Sequence, residues 1–418
     1  MTQKIGVWFL GAYGGVATTT IVGLSALRKG LTAHHGLVSQ LAQFKPLELI
    51  DWDQIVVGGH DIRRTTLYDE AMQLARTSRA IEPGIIDACR DDLNAADANI
   101  RPGVLFNVGA TIEKFAEVSL REKREMPRQS IQRVQQDLQE FVQRHQLKKL
   151  IVVNVASTEP PVDTTRVPPT WNDVAPLLES SSKCPLAASS LYAIAALELG
   201  HPYINFTPSL GSAPEAIREL AISRDTCHMG HDGKTGETLL KSALAPMFAN
   251  RNLEVMSWVG HNIFGNMDGK VLDDPANKKT KVLSKDRLLS EIFGYSPQTH
   301  VSIEFIESLG DWKTAWDHIH FRGFLGTPMI MQFTWQGCDS LLAAPLVIDL
   351  VRFTERAHRA GQRGLLTFLA SFFKSPLGVT EHNFVKQFMM LEDWSREIVS
   401  LSTNRDKSSP LPPGSSSV

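Results

Sequence analysis

Short apolar runs alternating with helical segments through the N-terminal half of the chain predict a doubly wound α/β sheet. A glycine-rich turn lies between the first apolar run and the first helical segment, where an open sheet of this kind holds its ligand. From about Leu253 the texture changes to apolar–polar alternation, which predicts a second, more antiparallel sheet.

Ile5–Leu10 is nearly all apolar, as a parallel strand buried on both faces should be. Gly11, Gly14 and Gly15 follow, and Val16–Lys29 can then wind into a helix that Gly30 is placed to end. A second strand is expected at Gln54–Val57, running out at Gly58-Gly59-His60-Asp61. A helix over Ser130–His145 leads into a third strand, Lys149–Asn154. Ser157-Thr158-Glu159-Pro160-Pro161 then opens a Pro/Thr-rich loop to Trp171. A helix over Ala187–Leu199 precedes the strand Tyr203–Phe206. In the second sheet, strands are expected at Val301–Ile306 and Met329–Trp335, after lysines clustered between Lys270 and Lys285. Helical pattern returns from Leu341 to about Leu401, and Ser402–Val418, polar and without apolar period, reads as a disordered tail.

The 418 residues carry 43 Lys+Arg against 45 Asp+Glu, a formal charge of −2. That balance excludes a general polyanion binder, and a hydrophobic share of 43% excludes a mostly disordered chain. The length suits two or three domains, or one large domain with an insertion, and it can bury most of its apolar surface without covalent staples. Cys89, Cys184, Cys227 and Cys338 are scattered with no CxxC pair, so a reducing, cytoplasmic setting is expected. The start Lys4–Leu10 superficially resembles a signal peptide, but glycines interrupt its apolar run at once. No stretch reaches the about 20 apolar residues of a membrane span, so no membrane partner is expected.

Gly11-Ala12-Tyr13-Gly14-Gly15 would let the backbone approach a pyrophosphate at a helix N-terminus. Its spacing departs from GxGxxG, and no acidic residue follows at the usual distance of about 20 residues. Asp61, after the second strand, is the nearest candidate for an adenine ribose; the alternative is a plain tight turn. Asp232-Gly233-Lys234-Thr235-Gly236-Glu237-Thr238 precedes a helix expected over Leu239–Phe248. Thr235 or Gly236 can cap that helix, leaving the N–H groups of Gly236 to Thr238 aimed at an anion. The bland alternative is a capped helix with a solvated lysine.

Lys281 and Lys285 would share one face if helical. Lys313 and Lys374 each stand among aromatic residues, where a lysine either snorkels to solvent or, desolvated, becomes fit for proton transfer or oxyanion stabilisation. Cys227-His228-Met229-Gly230-His231 matches no strong zinc spacing, and His318 and His320 alternate as decoration on one strand face. No GxSxG nucleophile elbow and no basic-aromatic nucleic-acid surface stands out.

With these strings in order, the chain resembles the myo-inositol-1-phosphate synthase (inositol-3-phosphate synthase) family, most closely its shorter archaeal-type members. The resemblance runs from Lys4 to about Trp394. It is most specific at Gly11–Thr20, Asn154–Pro160, Asn205–Ser212, Asp232–Thr238, Asn262–Gly269, Lys281–Lys285, Lys313, Asp339–Pro345 and Phe372–Pro376. It implies a Rossmann-type NAD domain, residues 1–238 plus 341–403, with an inserted α+β catalytic and oligomerisation domain, 239–340, and a disordered tail, 404–418. It implies an isomerase, an intramolecular lyase of inositol and phospholipid biosynthesis, that converts D-glucose 6-phosphate to 1D-myo-inositol 3-phosphate. Oxidation at C5, enolisation at C6, aldol closure onto C1 and re-reduction by the same cofactor leave no net redox change.

By the same resemblance, Gly11, Ala12, Tyr13, Gly14, Gly15 and Asp61 hold NAD with Ser157, Thr158 and Thr207, while Asn266, Asp268, Asp339 and Ser340 stand near the nicotinamide. Thr235, Gly236, Glu237 and Thr238 cradle the substrate phosphate with Lys285 and Lys313. Lys281 and Lys374 stand at the reacting oxygens, and Asp232 and Asn262 are further site residues. Family members are associated with a divalent metal or with monovalent cations, and this sequence leaves the ion open. Met267 replaces a polar or aromatic residue seen in relatives. A homotetramer built on the inserted sheets is implied, with no nucleic-acid partner. Three alternatives remain: a related cyclitol-phosphate synthase acting on another sugar phosphate such as fructose 6-phosphate, a net sugar-phosphate dehydrogenase, and a catalytically silent NAD-binding homologue.

Overall fold

The computed structural model describes residues 3–266 and 288–408, and of residues 402–408 the backbone alone. Its strands are β1 (Ile5–Leu10), β2 (Ile55–Asp61), β3 (Ile100–Pro102), β4 (Lys149–Asn154), β5 (Tyr203–Asn205), β6 (Cys227–Gly230), β7 (Glu254–Phe264), β8 (Gln298–Phe305), β9 (Trp312–Arg322), β10 (Pro328–Cys338) and β11 (Gly364–Leu365).

A seven-stranded sheet takes the order β11-β6-β5-β4-β1-β2-β3, with every pairing parallel. The chain winds outward from β1 in one direction to β3 and from β4 in the other to β6, so strand order reverses between β1 and β4. A crevice must open at the carboxyl ends of those strands, because their following connections leave to opposite faces. All six residues of β1 are buried, as its apolar run requires. One face is covered by the helices Gly15–Arg28 and Asp339–Arg359, packed on each other, and the other by Pro127–His145, Ala188–Glu198 and Glu215–Ser223. Ala188–Glu198 is apolar on all sides, which suits a helix sunk between the sheet and its outer neighbours.

Strand β2 runs four residues beyond the expected end at Val57, through Gly58, Gly59, His60 and Asp61. The glycines are strand residues because of close packing. A Cβ on Gly58 would lie 2.7 Å from the Trp8 indole, and one on Gly59 2.6 Å from the carbonyl oxygen of Phe9. The helix expected over Val16–Lys29 is Gly15–Arg28, and Gly30 ends it at φ +65°.

The second sheet, β10-β9-β7-β8, is mixed: β9 pairs antiparallel with β7 and β10, but β8 joins β7 in parallel. Its inner face packs Val255, Trp258, Ile319 and Phe321 against Ala245 and Phe248 of the helix Gly236–Asn250. The outer face carries Trp316 and Ile330 exposed, with His261 stacked on Trp316 at 5.6 Å. His318 and His320 are half-buried in β9, alternating with the buried Asp317, Ile319 and Phe321.

The helical pattern read from Leu341 to Leu401 is two helices, Asp339–Arg359 and Phe384–Ser408, separated by the edge strand β11 and a 3-10 turn, Thr367–Phe372. Gly361 and Gly364, at φ +87° and +70°, break the helical path, and the apolar residues between the helices fill the core as Leu366, Leu369, Phe372 and Phe373. The last helix continues to Ser408, so the tail expected from Ser402 begins with helical backbone; the remainder, like Met267, Asp268, Lys281 and Lys285, lies outside the described residues. No helix of the described residues is long and apolar enough to cross a membrane.

Candidate active site

Strand β1 ends in a turn whose geometry only glycine meets. Gly11 sits at φ +79°, and a Cβ there would lie 2.7 Å from the Cα of Ala156. The N–H groups of Gly11 and Ala12 donate to the His60 carbonyl at 2.9 and 3.1 Å, which ties the turn to the end of β2. Gly14 then stands at the N-cap of the helix Gly15–Arg28 without any side-chain cap, so the helix's first N–H groups face the crevice with their partial positive charge. Asp61 accepts the N–H of Tyr13 at 2.8 Å and that of Arg63 at 2.9 Å, so its carboxylate splints the turn while also lining the crevice. Burial raises its pKa.

The crevice is a cavity of about 850 Å³, a size within the about 300–1,000 Å³ of ordinary ligand sites. Gly11, Tyr13, Gly14, Gly15 and Asp61 line one side of it. Ser157, Thr158 and Thr207 line the floor, and Asn266, Asp339 and Ser340 a wall that meets the turn at Gly15. Ala12 is fully buried and does not reach it. Replacing Gly11 by Ala should weaken dinucleotide binding at least about tenfold, since the left-handed backbone and the Ala156 contact both oppose a methyl group. Titration with NAD reads this directly, and an unchanged Kd would contradict the placement.

The floor is rigid. Asn154, at the end of β4, donates to Asn205 Oδ1 at 3.1 Å and Thr207 Oγ1 at 3.2 Å, while Thr207 Oγ1 donates to Asn205 at 2.8 Å. Glu159 accepts the Ser189 N–H at 2.7 Å, and burial pushes its carboxyl up to about 7. On the wall beside the turn, buried Asp311 accepts from Ser340 N at 2.9 Å, Ser340 Oγ at 3.0 Å and Cys338 Sγ at 2.9 Å. This holds Ser340 so close to Gly15 that a Cβ on the glycine would meet its hydroxyl at 2.5 Å.

A narrower cleft, lined by Thr235, Glu237, Thr238, Asn262, Phe264, Ile303, Lys313 and Lys374, opens beside the cavity; Thr235, Lys313 and Lys374 line both. The helix Gly236–Asn250 begins here, three residues earlier than expected, with Thr235 at its N-cap. The Thr235 hydroxyl makes no capping hydrogen bond, so helix N–H groups and hydroxyl alike face the cleft. Glu237 lines the cleft, and its carboxylate meets Lys241 at 2.6 Å. Asp232 and Lys374 are joined at 2.7 Å and come from neighbouring extended segments: Gly233 bridges Phe373, and Lys374 N donates to Asp232 O at 2.7 Å. Lys313 Nζ lies 5.1 Å from the centre of the Phe264 ring. Asn262 is only 1% exposed, and both its side-chain polar atoms lack a hydrogen-bond partner among the described residues.

Lys234 is not the solvated lysine of the bland alternative. It is 2% exposed, its backbone N–H donates to Phe372 O at 2.8 Å, and burial lowers its pKa to about 7. Sequence reasoning missed Asp311, Glu159 and the buried Lys241. The first two sit inside strings already singled out, around Lys313 and Ser157, whereas the spacing Glu237–Lys241 gives no sign that both are buried. In the Cys227–His231 string, Cys227 is buried in β6 and His228 bonds Ser212 at 2.8 Å; among the described residues no group of three or more His, Cys, Asp or Glu could hold a metal.

A parallel sheet with its crevice at the switch point, a glycine turn at a helix N-terminus and a lysine-lined cleft beside it define a dinucleotide-binding enzyme of the α/β class. Residues 5–396 match the NAD-binding family described as myo-inositol-1-phosphate synthase. The inositol-3-phosphate synthase 1 of Bacteroides thetaiotaomicron is 32% identical, over 95% of this chain and 96% of that protein. The inositol-3-phosphate synthase of Saccharomyces cerevisiae is 28% identical, over 86% and 74%. The chain belongs to the myo-inositol-1-phosphate synthase family. Its fold is that of the Caenorhabditis elegans inositol-3-phosphate synthase, with a TM-score of 0.85 at 21% identity, covering 99% of this chain and 90% of that one. A myo-inositol-1-phosphate synthase-related protein of Thermotoga maritima aligns with a TM-score of 0.77 at 24% identity, over 94% and 99%.

Proposed function

We propose that this chain is an NAD-dependent inositol-3-phosphate synthase that converts D-glucose 6-phosphate to 1D-myo-inositol 3-phosphate. The observation that carries the reading is the convergence of Lys313, the Lys374–Asp232 pair and the unsatisfied Asn262 on a cleft that adjoins the glycine-turn cavity. The glycine turn, Asp61 and the residues of the floor and the adjoining wall would hold the dinucleotide. Bound there, NAD supplies a hydride acceptor that is restored within each turnover.

The chain's own residues then have separable tasks. The N–H groups of Gly236 to Thr238 and the Thr235 hydroxyl, with Lys285 and Lys313, grip the phosphate. Anchoring that end curls the open-chain sugar so that C6 and C1 meet within one molecule, which removes the entropy of a bimolecular encounter. Lys374, oriented by Asp232, takes the C5 hydroxyl proton on oxidation and returns it on reduction. Lys281 and Lys374 set positive charge at the oxygens that become negative during enolisation and ring closure. The substrate phosphate itself accepts the C6 proton, so no carboxylate base is needed there. Asn262, with both polar atoms unspent, suits a sugar hydroxyl.

The proposed division into 1–238 plus 341–403 and an inserted 239–340 is supported by where the mixed sheet leaves and rejoins the parallel one. We extend the reading to a homotetramer in a reducing cytoplasm, supported by the exposed Trp316 and Ile330 on the outer sheet face and by four unpaired, buried cysteines.

Glucose 6-phosphate incubated with the purified protein and trace NAD should yield an inositol phosphate by NMR, without lasting accumulation of NADH. Accumulation in proportion to product would mean a net dehydrogenase. Conversion of fructose 6-phosphate in place of glucose 6-phosphate would mean a synthase of another cyclitol phosphate.

A further inference from the structure

Of three lysines near the cleft, Lys234 and Lys241 are buried and Lys374 half-buried, and they differ in how their charge is met. Lys374 has Asp232 at 2.7 Å, and Lys241 has Glu237 at 2.6 Å and Asp317 at 3.7 Å. Lys234 has no carboxylate among the described residues. Its Nζ donates to Oε1 of Gln387, on the last helix, and lies 5.9 Å from the centre of the Phe384 ring. Both neighbours offer a cation electron density without a countercharge. Gln387 is itself fully buried, and its Nε2 donates to the carbonyl of Glu381, which fixes Oε1 as the atom turned to the lysine. The site therefore offers the amine an acceptor and no countercharge, so burial lowers its pKa to about 7 and leaves it between neutral and charged until an anion binds nearby.

An uncancelled buried charge is costly to keep, and replacing it with an apolar side chain would ordinarily stabilise the fold. Its place in the chain suggests what offsets the cost. Lys234 immediately precedes Thr235 and the helix N-terminus that face the cleft, and it follows Asp232, the partner of Lys374. The buried and unsatisfied Asn262 independently marks that cleft as made for a polar ligand.

We propose that Lys234, which lines neither cleft nor cavity, is a determinant of phosphate capture at a distance: held by the neutral Gln387 of the C-terminal helix, its ammonium form is stabilised only when a phosphate dianion binds in the cleft. This rests on the reading of the cleft as the phosphate cradle. It makes the C-terminal helix, remote in sequence from the glycine turn, part of the binding site's electrostatics.

Gln387→Glu keeps an acceptor oxygen for Lys234 and adds a countercharge, at the loss of the bond from Nε2 to the Glu381 carbonyl, a loss that the urea unfolding midpoint of the variant reads separately. In the full-length, NAD-loaded protein, both Gln387→Glu and Lys234→Met should raise the KM for glucose 6-phosphate about tenfold, with kcat within about threefold of wild type. The Kd for inorganic phosphate, measured by calorimetry, should rise in parallel. A Gln387→Glu protein with wild-type KM and phosphate Kd would overturn the proposal, leaving Lys234 as a structural clamp. If Lys234→Met does not fold, Gln387→Glu decides alone. A wild-type protein that binds phosphate but forms no inositol phosphate would refute the functional reading instead, and the phosphate Kd comparison would still decide the role of Lys234.

Discussion

Lys374→Ala should reduce turnover by about a thousandfold or more while leaving NAD binding measurable. The size follows from what the lysine is placed to do. Its side chain is 15% exposed and joined to Asp232 at 2.7 Å, and it lines both the cofactor cavity and the phosphate cleft. An amine at that junction can exchange a proton with the sugar and then hold positive charge beside a developing oxyanion, and the substitution removes both. The glycine turn is untouched, because Lys374 is supplied by the segment after the 3-10 turn Thr367–Phe372. NAD titration and single-turnover kinetics would separate the two effects. Activity within about tenfold of wild type would remove Lys374 from the chemistry.

Lys241→Met should be the most destabilising of the substitutions considered, at about 3–5 kcal/mol, the usual cost of breaking a buried ion pair by deleting one partner. Lys241, Glu237 and Asp317 are all at or below 2% exposure, and Asp317 also accepts the Trp258 indole N–H at 2.7 Å. Gly260 leaves the room for this cluster, since a Cβ there would lie 2.6 Å from Glu237 Oε1. Removing the ammonium takes from two buried carboxylates the cation they share. A second substitution, Glu237→Gln, should recover part of the loss by removing one of the two charges. Urea unfolding midpoints of the two variants test this, and a loss below about 1 kcal/mol for Lys241→Met would show that the three groups are not coupled.

Local patterns served well where one segment's own chemistry decides the outcome. β1 and β4 fall on the expected residues because an apolar run of six between turn signals has few other uses in a parallel sheet. The glycine turn was legible because a positive φ and a close backbone approach leave no other residue type for the position. The break between the last two helices was not. Gly361 and Gly364 mark a stop, but Leu365–Phe373 is as apolar as a helix core, and its pairing with β6 and burial against the last helix decide that it becomes strand and 3-10 turn.

The candidate site divides along the same line. Residue strings pointed to the glycine turn, Thr235, Lys313 and Lys374. The meeting of the last three at one cleft, beside the cavity of the glycine turn, depends on β6, β9 and the segment after β11 arriving together, and no string records that approach. The state of a lysine is still less local: Lys234, Lys241 and Lys374 look alike along the chain, yet one faces a glutamine, one two carboxylates and one a single aspartate. Backbone geometry and apolar period are short-range properties that neighbouring residues impose on each other. Charge compensation is set by whatever the folded chain carries within a few ångströms, and for Lys234 that partner lies 153 positions away.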